Sequence, residues 1–193
     1  MVLGLLNIPY ESVVLPYDDE QTPLSLTGVK MLPILEFSKE DIRNESLDII
    51  KILDKDGVLN CVDPSDLDPL LSEIGKSVHS LCMPYWMWTP EFNEKSRSYF
   101  QKKKEVKRGP FNKLAQNKDA FISELDKTLN SLEKELSPFY QSTKLTIKDI
   151  MIASHLWGMY VFPEFRFSEK LNNYLQSISK ACNFNYHEDF WRD

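Results

Sequence analysis

The sequence predicts an α+β protein in two unequal parts: a small mixed unit over residues 1–56, a linker over 57–64 and an all-helical unit over 65–190. Three observations carry that reading. Up to Asp56 the apolar residues come in short runs, several β-branched and broken by proline, the pattern of strands and short helices. Asp, Pro and Gly then cluster between Asp56 and Asp68, a junction composition. Beyond Leu67 the apolar positions recur at helical spacing as far as Cys182, as in helices that bury one face.

Each element has its own warrant. Residues 10–15 carry Val13, Val14 and Leu15 before Pro16 and predict a strand. Thr22-Pro23 reads as a helix N-cap followed by proline at the first helical position, with Gly28 as the stop. Residues 31–35 form an apolar strand interrupted by Pro33, and a weaker strand is expected around Asp41, Ile42 and Arg43. Leu47, Ile49, Ile50 and Leu53 have helix spacing after Ser46. In the second part, Leu67, Leu70, Leu71, Ile74, Val78, Leu81, Cys82 and Tyr85 predict one buried helical face. Phe121, Ile122, Leu125, Leu129, Leu132, Leu136 and Phe139 predict another, and Leu171, Tyr174, Leu175, Ile178 and Cys182 a third. Thr146-Ile147-Lys148-Asp149 is a capping box: the Thr146 hydroxyl can accept from the Asp149 amide while the Asp149 carboxylate reaches back to the Thr146 amide. The inner stripe expected of that helix is Ile150, Met151, Ser154, Trp157 and Val161.

Composition excludes several functions. The 193 residues carry 23 Lys and Arg against 29 Asp and Glu, a net charge of −6. An acidic chain lacks the basic surface that displaces counterions from nucleic-acid phosphates, so no nucleic-acid partner is expected. No apolar run approaches the roughly 18 residues of a membrane span, and no secretory leader is recognisable. Cys61, Cys82 and Cys182 are odd in number and widely spaced, which argues for a reducing, cytoplasmic setting over a disulfide framework.

The candidates for chemistry are few. Proline donates nothing to a sheet ladder, so Pro33 implies either an edge strand or bulge, which strand chemistry favours, or a cis Leu32-Pro33 bond that turns the Leu32 main chain outward. Ser46 after Glu45 stands at a helix start, either as a plain N-cap or as a place where a hydroxyl and free amides receive an anion. Cys82 and Cys182 lie on apolar faces and read as core residues. Cys61, in the linker, has no basic neighbour to lower its pKa. His79, His155 and His187 share no ligand spacing with one another or with a cysteine, so no metal is expected. The basic run from Lys102 to Arg108 reads as a solvated helix face, and Trp86, Trp88, Trp157 and Trp191 as packing residues.

Five stretches together resemble the glutaredoxin 2 family, within the glutathione S-transferase architecture. They are Gly4-Leu5-Leu6-Asn7-Ile8-Pro9, Asp18-Asp19-Glu20-Gln21-Thr22-Pro23, Leu32-Pro33-Ile34-Leu35, Glu45-Ser46-Leu47-Asp48-Ile49 and Tyr99-Phe100-Gln101-Lys102-Lys103-Lys104-Glu105. The resemblance implies a thioredoxin-like domain followed by a glutathione S-transferase-like all-α domain, and a glutathione-dependent thiol–disulfide oxidoreductase acting on disulfide-containing proteins as a monomer. It implies that Pro33 is cis, that the Leu32 main chain pairs with the cysteinyl part of glutathione, and that Glu45 and Ser46 hold the γ-glutamyl end. The family pattern also has a first strand and a C-P-Y-C turn ahead of the segment matching Met1-Val2-Leu3-Gly4, roughly a dozen or more residues at usual strand lengths. Nothing in this sequence matches them, so the thioredoxin-like domain is expected to be truncated, with no catalytic residue. Either the sequence starts at an internal methionine, which the placement of Met1 inside a predicted helix favours, or it is a short form. A chain with such an exposed sheet edge is expected to be unstable or aggregation-prone. The alternatives are a non-catalytic glutathione-binding or protein-interaction module and a glutathione transferase that activates the thiol through a backbone group or hydroxyl.

Overall fold

A computed structural model describes residues 1–60 and 63–187 of the chain. The first part begins with helix α1 (Val2–Leu5), runs through an extended segment to helix α2 (Gln21–Thr27), continues as the strands β1 (Leu35–Ser38) and β2 (Asp41–Arg43), and closes with helix α3 (Ser46–Leu53). The strands form an antiparallel pair with Leu35 opposite Arg43 and Glu36 opposite Ile42.

Four expectations for this part change. Residues 10–15 form no strand; Tyr10, Val13 and Val14 are 59%, 73% and 56% exposed. Strand propensity acts through pairing and packing, and no described segment pairs with these residues. The strand expected from residue 31 starts only at Leu35, because Pro33 has no N–H for a ladder. The Leu32-Pro33 bond is cis, so the edge or bulge reading gives way to the second option. At α2 the capping side chain is Asp19, not Thr22: its carboxylate accepts from the Thr22 amide at 3.0 Å and the Thr22 hydroxyl at 2.7 Å. A carboxylate, unlike a hydroxyl, adds favourable charge at the positive end of a helix. Pro23 still lies in the first turn, where its missing N–H costs nothing. Gly28 ends the helix with φ 77°, its amide donating to Leu24 O at 2.9 Å.

The second part contains a 3-10 turn (Ser65–Leu67), helices α4 (Asp68–Trp86), α5 (Glu94–Arg108), α6 (Phe111–Gln116), α7 (Lys118–Lys134) and α8 (Ile147–Leu156), a second 3-10 segment (Trp157–Val161) and helix α9 (Glu169–Ala181). Helix α4 is the central element, in contact with α6, α7, α8 and the second 3-10 segment. Ile74, Leu125, Ile152, Leu156, Leu175 and Ile178 fill the resulting core. Helix α7 stops at Lys134, so Leu136 and Phe139 lie beyond it; proline disfavours helical backbone in the residue before it, and Pro138 follows closely. The face of α8 also differs. Ser154 is exposed and Met151 half-buried, while Ile152, Ala153 and Leu156 join Ile150 inside. The helix is covered on more than one side, and beyond Leu156 the tighter 3-10 winding changes the phase of the stripe.

The two parts share one core. Val2 is buried with the α4, α7, α8 and α9 side chains, and Leu5, Leu6, Leu47 and Ile50 pack on them. Tyr17 packs on a smaller cluster of Met83, Met87, Phe100, Phe111 and Leu114. Behind α3, the Asp54 carboxylate accepts from the Val58 and Leu59 amides at 2.7 and 2.9 Å, and Leu59 O accepts from the Ile147 amide at 2.9 Å.

Candidate functional site

The hairpin dictates where the predicted residues fall. Because Leu35 opposes Arg43, the chain entering β1 and the chain leaving β2 lie side by side at one end of the pair. Leu32 and Pro33 precede that end, and Glu45 and Ser46 follow it. All four are exposed. Leu32 is 59% exposed, and its main chain makes no hydrogen bond with the described residues. Ser46 is the first residue of α3 and Glu45 the extended N-cap, with no side-chain hydrogen bond at the cap. The plain capping role considered for Ser46 is therefore not the one its hydroxyl takes. The first amides of a helix have no intrahelical acceptor and carry the positive end of the dipole, so this turn suits a carboxylate.

Thr146 and Asp149 form a capping box at the start of α8, and Asp149 does more than cap. Its carboxylate, with no exposed surface, accepts from the Thr146 amide at 2.8 Å, the Thr146 hydroxyl at 2.9 Å, the Tyr140 amide at 2.8 Å and the Tyr174 hydroxyl at 2.9 Å. It ties α8, α9 and the turn before α8 together. Burial, followed by the Asp149 charge, pushes the Tyr174 hydroxyl far above its usual pKa. The box was legible as spacing; its partners at Tyr140 and Tyr174 were not, since nothing in spacing connects them.

Neither described cysteine is poised for chemistry. Cys82 has no exposed surface and contacts the Met159 sulfur at 3.3 Å; burial pushes its thiol well up. Cys182 is buried and shifted the same way. A nucleophilic thiol needs access and a lowered pKa. Cys61 and Trp191 fall outside the described residues. No group of three His, Cys, Asp or Glu side chains able to hold a metal ion occurs among the described residues. His79 instead meets Arg108 Nη2 at 3.2 Å and the edge of Trp86, and burial, with Arg108 next, lowers its pKa to about 4. Trp157 is buried, Trp86 half-buried and Trp88 exposed.

The stretch from Tyr99 to Glu105 is more than a solvated face. Glu105 accepts from the Phe111 amide at 2.8 Å and from Gln101 at 3.0 Å, capping α6. Tyr99 and Lys103 face Glu20 and Lys30 of the first part. Sequence reasoning missed that cluster; its only signal was that Asp18-Asp19-Glu20 and Tyr99 to Glu105 both belonged to the resemblance. An open groove of about 710 Å³ lies along α5, lined by Asp18, Glu94, Lys95, Tyr99 and Lys102, and it includes none of the four residues at the hairpin end.

Comparison with known proteins gives the family and the fold. Residues 66–190 match the family described as glutaredoxin 2, C-terminal domain, and residues 1–57 match glutathione S-transferase, N-terminal domain. The chain belongs to the glutaredoxin 2 family. Glutaredoxin 2 of Escherichia coli strain K12 is 28% identical over 192 residues, covering 96% of this chain and 89% of the relative. The glutaredoxin 2 of Escherichia coli O157:H7 gives the same figures. The crystal structure of glutaredoxin 2 from Salmonella typhimurium in complex with glutathione superposes with a TM-score of 0.87 at 28% identity, covering 98% of this chain and 90% of that one. The fold is thus the thioredoxin-like unit plus glutathione S-transferase-like helical domain of that family. Among the described residues no helix is long and apolar enough to cross a membrane.

Proposed function

We propose that the chain is a glutathione-dependent thiol–disulfide oxidoreductase of glutaredoxin 2 type, and that its own residues supply the glutathione-binding part of that activity. One observation carries the assignment: the hairpin brings the unpaired Leu32 main chain and the open first turn of α3 to the same end. An extended tripeptide with a zwitterionic end wants that pair of features. Its middle pairs with a free main chain, as an added strand does, and its γ-glutamyl carboxylate docks on the α3 amides and the Ser46 hydroxyl. The Glu45 carboxylate accepts from the ammonium of the same γ-glutamyl group. The likeness to a glutathione-bound relative supports the reading. The proposed organisation is a glutathione-binding unit over 1–56, a linker over 57–64 and a helical unit over 65–190, all on one chain, so that a cytoplasmic monomer suffices and disulfide-containing proteins are the partners.

Calorimetric titration of glutathione into the full chain, repeated with Ser46→Ala, tests this. A hydrogen bond to a charged group is worth about 1.5–3 kcal/mol, so the substitution should weaken binding about tenfold or more. Unchanged affinity would remove Ser46 from the site. The sealed positions of Cys82 and Cys182 favour a second reading, a non-catalytic glutathione-binding module. Turnover of a small glutathione mixed disulfide would support the oxidoreductase, and binding without turnover the module.

A further inference from the structure

Three residues, two from the first part and one from α5, converge on one ammonium group. Lys30 lies in the loop between Gly28 and Pro33. Its Nζ donates to Glu20 Oε1 at 2.9 Å, to the Tyr17 carbonyl at 3.2 Å and to the Tyr99 hydroxyl at 3.5 Å. It also sits over the rings of Tyr17 and Tyr99, 5.4 and 4.7 Å from their centroids. An ammonium has three protons to donate, and here each has an acceptor. The Tyr99 hydroxyl in turn donates to the same Glu20 oxygen and accepts from Lys103 at 3.3 Å. The Tyr99 hydroxyl, then Lys30, hold the Glu20 carboxyl down to about 2, so Glu20 stays ionised at neutral pH.

A surface lysine usually samples many rotamers, and an isolated exposed ion pair adds little stability. A saturated, partly covered ammonium is different in kind: it fixes where its own backbone lies. The loop that carries it has few other ties. Among the described residues its main-chain bonds are Gly28 N to Leu24 O at 2.9 Å where α2 ends, Met31 N to Val29 O at 3.0 Å and the Thr27 hydroxyl to Val29 O at 3.2 Å, and beyond Met31 neither Leu32 nor Pro33 is tethered.

We propose that Lys30 is a positioning residue for glutathione: clasped by Glu20, Tyr17 and Tyr99, it holds the 28–34 loop so that Leu32 presents its main chain to the tripeptide. The inference rests on the assignment of Leu32 to the glutathione site. It gives the Tyr99 and Lys103 side chains of α5 a part in binding, although neither lies at the hairpin end. Without the clasp the loop must be ordered by the ligand itself, and that ordering is subtracted from affinity.

The test compares wild type, Lys30→Met, Lys30→Arg and Tyr99→Phe by glutathione calorimetry and by amide exchange over residues 29–35 in the unligated chain. Lys30→Met keeps the stem and removes the donors; it should weaken binding about tenfold, within the range of coupling between residues of one network, and speed exchange in the loop. Lys30→Arg should recover most of the affinity. Tyr99→Phe should cost about threefold, and the double variant less than the product, as expected of residues in one network. A lysine with only a structural role would lower the melting temperature and leave the affinity of the folded protein intact. If Lys30→Met does not fold, Tyr99→Phe carries the test, since it leaves the Glu20 and Tyr17 bonds in place. Wild-type affinity and exchange in the folded variants would overturn the clasp alone. A wild type that does not bind glutathione would overturn the site assignment and the clasp with it.

Discussion

The two parts of the chain share one core but cover their apolar side chains to different extents. In the helical part α4 is covered by α6, α7 and α8, so the heptad-like stripes vanish into one core, and the buried carboxylate at Asp149 has four donors. In the first part Tyr10, Val13, Val14, Leu24, Val29, Met31, Leu32 and Phe37 stay exposed, and among the described residues β1 is paired along one edge only. A helix satisfies its main chain internally and needs only a face to bury. A strand needs neighbours on both sides, and any edge left open remains available to another chain. The helical part is therefore a scaffold, while the first part offers unpaired main chain on which a peptide ligand can dock.

The largest expected effect falls on the scaffold. Asp149→Ala removes an acceptor from the Thr146 and Tyr140 amides and leaves the buried Tyr174 hydroxyl unpaired. It should cost about 3–5 kcal/mol, read as a fall of roughly 10 °C in the thermal midpoint at a few degrees per kcal/mol. A loss under about 1 kcal/mol would mean that the helical part does not depend on this hub.

The seam between the parts comes next. A Cβ on Gly4 of α1 would stand 1.8 Å from the Cys182 carbonyl at the end of α9, and main chain cannot swing aside as a side chain does. Gly4→Ala should destabilise by about 1–3 kcal/mol and raise amide exchange in α1 more than in α7. Equal protection in both helices would show that the seam does not need this close approach.

A smaller effect is pH-dependent and confined to the α4–α5 face. His79 is neutral in the fold with its pKa near 4, facing Arg108, Lys104 and His155, against an ordinary value of 6.5. The unfolded chain binds this proton first as pH falls. The stability tied to His79 is complete above pH 6.5, declines as pH drops towards 4 and is level below that. His79→Gln should flatten this part of the urea-midpoint profile, and an unaltered profile would contradict it.

The smallest effect on stability, but a visible one in solution, belongs to the exposed apolar face. Val13→Lys and Phe37→Lys should change the melting temperature little, within about 0.5 kcal/mol. They should lower concentration-dependent light scattering, Phe37→Lys by placing charge on the open edge of β1 and Val13→Lys by placing it on an exposed apolar segment. Scattering that is unaltered by both would show that these side chains do not drive self-association.

How much of this was legible follows from what each feature requires. The α4 and α9 stripes and the Thr146 and Asp149 pair were readable because their periods and spacings are local. Residues 10–15 misled because β propensity reports a preference for paired, half-buried surroundings that they do not have here. Met151 and Ser154 misled because a helix buried on several sides carries no single stripe. Leu32, Pro33, Glu45 and Ser46 could be named from a resemblance, but their placement at one end of the hairpin needed the pairing of Leu35 with Arg43. Lys30 was invisible, since its partners Glu20 and Tyr99 lie 10 and 69 residues away.

The most direct test of the account is nuclear magnetic resonance of the ¹⁵N-labelled chain during titration with reduced glutathione. Saturable shifts are expected at the amides of Leu32, Ser46 and Leu47, with Ile74, Leu125 and Leu156 unmoved. Shifts confined to the α5 groove around Lys95 and Lys102, or no shifts at all, would contradict it.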